Sequence, residues 1–242
     1  DRVIVEHPTF PPLLDLLEKI GADVIGVEVD AQGMNVEALT AALEQKPTAL
    51  FLQPRAQNPT GVTMSAQRAK HIADAIVASG HSESITIIED DHAGDIAVGE
   101  LNSIGNYLPT RTVHIRSYSK SHGPDLRLAA VGGSGDVISA AANRRLLGPG
   151  WSSRILQAVL LELLDDQATL ESLSHARSEY SRRRQEVVQI LNERNVFSTG
   201  TDGINLWVRV SDERSALMTL AAQGIGAAPG TPFLVNTHPD SM

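Results

Sequence analysis

Six short apolar runs separated by stretches of helical periodicity constrain this chain more than any other feature. The runs are VIVE (3–6), DVIGVEV (23–29), ALFLQ (49–53), SITIIE (84–89), TVHIRS (112–117) and LAAVGG (128–133). They are rich in Val and Ile and mostly lack the polar–apolar alternation of a strand with one wet face. They therefore read as strands covered on both faces. LLDLLEKIG (13–21), VEALTAALEQ (36–45) and SAQRAKHIADAIVASG (65–80) carry apolar residues at helical spacing. This alternation predicts an α/β fold, three layers in the order α/β/α around a mostly parallel sheet. From Ser152 to about Asn195 the pattern is almost wholly helical, after a stop at Gly148-Pro149-Gly150 and with a break at Asp165-Asp166. INLWVRV (204–210) and ERSALMTLAAQG (213–224) then read as a small α+β unit. The expected organisation is a large domain over 1–165, followed by a connecting helix and a small C-terminal domain over 166–242.

Composition removes several functional classes. A length of 242 residues is enough for a well-buried core. The formal net charge of -9 argues against sequence-independent binding of a phosphate backbone. Cysteine is absent, so no disulfide framework or thiolate metal site is expected, which fits a cytoplasmic protein. No run approaches the roughly 18 apolar residues of a membrane span. Neither HExxH nor a comparable ligand pair appears, so no metal is expected. The densest basic run, RSEYSRRRQE, holds Arg177, Arg182, Arg183 and Arg184 beside Glu179 and Glu186 and reads as a solvated, ion-paired helix face.

In an open α/β sheet, ligands bind beyond the carboxyl ends of the strands. His7-Pro8-Thr9-Phe10 follows the first run, Gln57-Asn58-Pro59-Thr60-Gly61 the third, Glu89-Asp90-Asp91-His92 ends the fourth, and Ser117-Tyr118-Ser119-Lys120 ends the fifth. Every chemically interesting cluster thus falls on one edge. A partly desolvated lysine becomes a usable amine nucleophile. Serine hydroxyls and an arginine hold phosphate through charge-assisted bonds. An aromatic side chain can cover a ring face. Asp91 reads as a turn or cap residue, Ser152 and Ser153 as helix caps, and His114 and His122 receive no role.

The strings QNPTG, EDDH and SKSHGPDLRLA, with S-x-S-K followed by an arginine seven residues on, resemble the fold-type-I pyridoxal-phosphate-dependent aminotransferases of class I and II. They are most similar to the aminotransferase-like domain of MocR/GntR-type transcriptional regulators. The resemblance covers nearly the whole chain and implies pyridoxal 5′-phosphate as cofactor. It implies that Lys120 is the Schiff-base lysine and that Asp90 pairs with the pyridine nitrogen. Asn58 would donate to the phenolic oxygen, Ser117, Ser119 and Arg127 would hold the phosphate, and Phe10 would stack on the ring. His92 stands where relatives usually carry a phenolic tyrosine, and an imidazole ordinarily titrates near pH 6.5. Relatives also carry a phosphate loop before the point matching Asp1 and a substrate-binding arginine beyond the point matching Met242, so both domains are expected to be partial. Two functions fit. One is an effector-sensing, homodimerising module that responds to an amino compound and reaches DNA only through a domain outside this chain. The other is a working aminotransferase in which Lys120 moves the α-proton of an amino acid.

Overall fold

The structure, a computed structural model, describes residues 1–80 and 82–235. Residues 236–242 of the expected small domain lie outside the described residues. Strands β1 (Arg2–His7), β2 (Asp23–Asp30), β4 (Ala49–Leu52), β5 (Thr86–Asp91) and β6 (Thr112–Ser117) run parallel. Two antiparallel edge strands, β3 (Gly33–Met34) and β7 (Ala129–Gly132), complete a seven-stranded sheet in the order β3-β2-β1-β4-β5-β6-β7. This is the mostly parallel sheet that the apolar runs predict. β1 has β2 on one side and β4 on the other, so the strand order reverses there and opens a crevice at the carboxyl ends of β1 and β4.

Successive residues of a strand point to opposite faces, and β1 divides accordingly. Val3 and Val5 pack with Leu13 and Leu17 of helix α1 (Pro11–Lys19). Ile4 packs on the other face with Leu50, Leu52 and Ile87, under Leu39 and Leu43 of α2 (Val36–Leu43) and Ile72 and Ile76 of α3 (Ala66–Ala78). Each fully buried Leu or Ile contributes roughly 1.5–3 kcal/mol relative to an exposed one. Local chemistry starts the helices. Asn35 Oδ1 accepts from the Ala38 N–H at 2.9 Å, and Ser65 Oγ accepts from the Arg68 N–H at 3.1 Å.

Helix α4 (Gly135–Arg145) departs from the sequence reading, which placed no helix there. None of its residues is buried, so it carries no apolar stripe by which a helical period could be recognised. β7 departs as well: its four residues are exposed, as befits an edge strand rather than one covered on both faces. Helix α5 (Arg154–Asp165) starts on Ser153, whose Oγ accepts from the Leu156 N–H at 3.3 Å. The chain breaks at Asp166, which caps the long α6 (Gln167–Asn192) by accepting from the Thr169 N–H at 2.8 Å. A two-stranded ladder of β8 (Ser198–Thr199) and β9 (Trp207–Val208), then α7 (Glu213–Ala222), follow.

The turn between β8 and β9 is fastened to the Asn58 loop. Thr201 and Asp202 N–H groups both donate to Gly61 O at 3.0 Å, and Thr199 Oγ1 donates to Thr60 O at 3.0 Å. Buried Asp202 accepts from the N–H groups of Val98 and Gly99 at 2.8 Å each and from Thr63 Oγ1 at 3.0 Å. Arg184 is buried too and donates to the carbonyls of Thr199 and Asn205. It therefore leaves the solvated face read from the sequence, whereas Arg182 and Arg183 stay on it, paired with Glu179 and Glu186.

Candidate active site

The carboxyl end of β5 sorts its acids by face. Glu89 and Asp91 are fully buried on one side, and Asp90 points to the other. Asp91 accepts two bonds from Arg55, both at 2.8 Å, and is ion-paired with Arg116, which also donates to Asp95 at 2.5 Å. Arg55 and Arg116 hold the Asp91 carboxyl down at about 2 against the effect of burial. Asp91 is thus an ionised anchor at the end of a strand, and it also accepts from the Gly94 N–H at 3.4 Å, in keeping with the turn or cap role its sequence context implied. Glu89 accepts from Ser103 Oγ and from the Ile104 N–H at 2.6 Å each, and lies 3.1 Å from His114 Nδ1.

Asp90, on the opposite face, accepts from Gln53 Nε2 at 3.0 Å. Burial pushes its carboxyl up, while Gln53 and the Lys120 ammonium pull it down. Lys120 sits in the turn after β6, closed by a bond from the His122 N–H to Tyr118 O at 2.9 Å. The residue as a whole is exposed, yet partial burial of its ammonium lowers its pKa, with Asp90 opposing.

His92 meets Lys120 directly, Nδ1 against Nζ. Burial and the neighbouring ammonium lower the imidazole from its usual 6.5 to about 4. The ring is therefore neutral near pH 7. Its Nε2 lies 3.1 Å from Ala56 O, a partner that can only accept, so the proton sits on Nε2 and Nδ1 accepts from Lys120. The titration near 6.5 expected from the sequence is displaced by burial and by charge.

The remaining candidates lie on the same strand-end edge. Asn58 follows β4, and its N–H donates to Gln53 Oε1 at 2.7 Å. Ser117 ends β6, and its Oγ accepts from the Ser119 N–H at 3.3 Å. Arg127 closes the loop in the left-handed region at φ 50°, exposed, with no side-chain partner among the described residues. Phe10 precedes α1 and packs partly against the Val3, Val5, Leu13 and Leu17 cluster. The structure therefore brings Asp90, His92 and Lys120 into one group, with Asn58 tied to it through Gln53. Ser117, Ser119 and Arg127 share the Lys120 loop, and Phe10 stands apart on the neighbouring loop. Sequence reasoning missed Gln53 and Glu6. Their one signal is that each ends an otherwise apolar run, VIVE or ALFLQ.

The family model described as aminotransferase class I and II matches residues 1–241. The chain belongs to this family. Its members' cofactor is pyridoxal 5′-phosphate, and the site's donor set fits that group. A partly desolvated lysine amine stands beside a half-buried carboxylate, and two hydroxyls share a loop with a guanidinium that has no side-chain partner among the described residues. His122 Nε2, in the Lys120 turn, is also buried without a hydrogen-bond partner among the described residues.

Among curated relatives, the chain is 33% identical over 238 residues to the vitamin B6 salvage pathway transcriptional repressor PtsJ of Salmonella typhimurium, covering 98% of this chain and 54% of that protein. It is 32% identical over 240 residues to the aminotransferase swnA of Metarhizium robertsii, covering 88% of this chain and 47% of that protein. The chain thus spans about half the length of these relatives. The fold matches the crystal structure of Pyrococcus horikoshii kynurenine aminotransferase with a TM-score of 0.86 at 24% identity, over 97% of this chain and 61% of that one. At that identity the likeness is one of fold.

Proposed function

We propose that this chain is the pyridoxal-phosphate-binding, effector-sensing and dimerisation domain of a GntR/MocR-type transcriptional regulator. The observation that carries the reading is the juxtaposition of Lys120, neutral His92 and half-buried Asp90. Similarity to a repressor over 98% of the chain favours a regulator over an enzyme. Residues 1–165 form the cofactor-bearing part, and residues 166–242 form the connecting helix and small unit. The whole protein works as a cytoplasmic homodimer and touches DNA through a domain outside this chain. No described helix is long and apolar enough to cross a membrane.

Bound pyridoxal phosphate supplies an aldehyde that captures amines and a ring that withdraws electrons. Lys120 holds it through Nζ, and desolvation eases the loss of the proton that this requires. Asp90 keeps a proton on the pyridine nitrogen by accepting its N–H. Asn58 donates to the phenolic oxygen, Phe10 covers the ring face, and Ser117, Ser119 and Arg127 bind the phosphate. His92 has no proton on Nδ1 and so accepts from Nζ whenever the lysine is free. With Lys120 released, Nζ would donate to His92 Nδ1 as it does in this structure, and this change of partner would be the event the module transmits.

The test uses the full-length protein. With pyridoxal phosphate it is expected to gain a visible absorption band that borohydride removes, with the pyridoxyl label on Lys120 in a peptide map. A label on another lysine refutes the assignment. Affinity for its own promoter DNA is expected to change when an amino compound removes the band. Repeated conversion of an amino acid to its keto acid, with DNA affinity unaffected, establishes the aminotransferase instead.

A further inference from the structure

Gln53, just past β4, is buried, and three of its polar groups are committed. Its backbone N–H donates to Glu6 Oε2 at 3.0 Å, Oε1 accepts from the Asn58 N–H at 2.7 Å, and Nε2 donates to Asp90 Oδ2 at 3.0 Å. We infer that Gln53, braced by Glu6, is a positioning residue that couples the orientation of Asp90 to the placement of Asn58. This rests on the reading of those two residues as cofactor contacts.

The amide has only one satisfactory orientation. Asn58 N–H can only donate, so it requires Oε1 on its side. Asp90, as a carboxylate, can only accept, so it requires Nε2. A flipped amide would oppose donor to donor and acceptor to acceptor. The bridge therefore reports the position of one loop to the other. It also acts on charge, since among the groups that oppose the burial of Asp90 the Gln53 amide comes ahead of Lys120. Glu6 has its own part. Burial pushes its carboxyl up to about 8, so near pH 7 it is a neutral acid and adds no second negative charge beside Asp90. It still offers Oε2 to the Gln53 N–H, which lies past the last ladder pair of β4.

The experiment compares Gln53→Met, Gln53→Glu, Glu6→Leu and Glu6→Gln in the full-length protein. The first readout needs no cofactor: infrared titration of the Asp90 carboxyl, assigned by its disappearance in Asp90→Asn. Gln53→Met, which keeps volume but removes both side-chain bonds, is expected to raise the Asp90 titration by about one pH unit. The dissociation constant for pyridoxal phosphate is expected to rise about tenfold. Glu6→Leu moves both readouts in the same direction, and Glu6→Gln, which restores an acceptor, returns both to within about twofold of the parent. Gln53→Glu keeps an acceptor for Asn58 but sets a third acid against Asp90, and raises its titration if the coupling is real. An unchanged Asp90 titration in Gln53→Met, or in Gln53→Glu should the Met variant not fold, overturns the proposal. If the parent protein fails to take up pyridoxal phosphate on Lys120, the cofactor reading fails, and the infrared titration still decides the coupling.

Discussion

At the residue scale, the site turns on a proton that is missing. His92 Nδ1 holds a lone pair toward Lys120 while its proton is engaged with Ala56 O. A phenol at position 92 would instead donate to a cofactor oxyanion and stabilise it without help from a nearby cation. His92→Tyr is therefore expected to lower the pH at which the visible spectrum of the cofactor-loaded protein changes, by about one unit, with attachment to Lys120 intact. Absorbance titration of parent and variant decides it, and coincident curves would mean that His92 does not contact the cofactor. The motif order made Lys120 and Asp90 legible in the sequence. The tautomer of His92 was not, because Ala56 O lies 36 residues away and the burial that suppresses the charge is tertiary.

At the element scale, the turn between β8 and β9 is locked to the loop that carries Asn58. Removing the Asp202 carboxylate leaves the N–H groups of Val98 and Gly99 without their acceptor and buried Arg184 without its counter-charge. Asp202→Ala is expected to cost about 3 kcal/mol, read from urea unfolding. A loss below about 0.5 kcal/mol would mean that water replaces the carboxylate at no cost. Gly200 makes the same approach possible through its missing side chain: a Cβ there would fall 2.2 Å from Thr60 O, at φ +71°. The strands and helices around this lock follow from apolar period, as the buried stripes of α2 and α3 show. The lock itself joins residues 139 apart, as in Thr63–Asp202, and no local pattern announces such a pair.

At the scale of the whole molecule, pH enters through Glu6. Its carboxyl is raised to about 8 in the fold from an ordinary 4.5. Below 4.5 both folded and unfolded chains hold the proton. Above it the unfolded chain ionises while the fold does not, so stability is lost progressively from pH 4.5 until the fold too ionises near 8, by about 3 kcal/mol at pH 7. Glu6→Gln removes that dependence, so its unfolding midpoint is expected to be flatter than the parent's between pH 5 and 8; equal slopes would show that Glu6 ionises freely in the fold. A second whole-molecule expectation concerns assembly. Leu146, Leu147, Trp151 and Ile155 are 69–80% exposed on one stretch of chain, an unusual load of apolar surface. The full-length protein is expected to sediment as a dimer, and Leu147→Asp to shift it toward monomer. A monomer at micromolar concentration in the parent counts against the homodimer.

Five of the six apolar runs determined the parallel core of the sheet, with α1 on one face and α2 and α3 on the other; the sixth became the exposed antiparallel edge strand β7. The order QNPTG, EDD, S-x-S-K and Arg127 determined the family, because those residue types on successive strand ends meet at one edge. Tertiary structure alone decided which acid does which work. Asp90 and Asp91 are neighbours in sequence, but the strand's two-residue period sends one toward Lys120 and the other between Arg55 and Arg116. Their carboxyls move in opposite directions because at Asp90 burial outweighs the pull of Gln53 and Lys120, whereas at Asp91 two guanidinium groups outweigh burial.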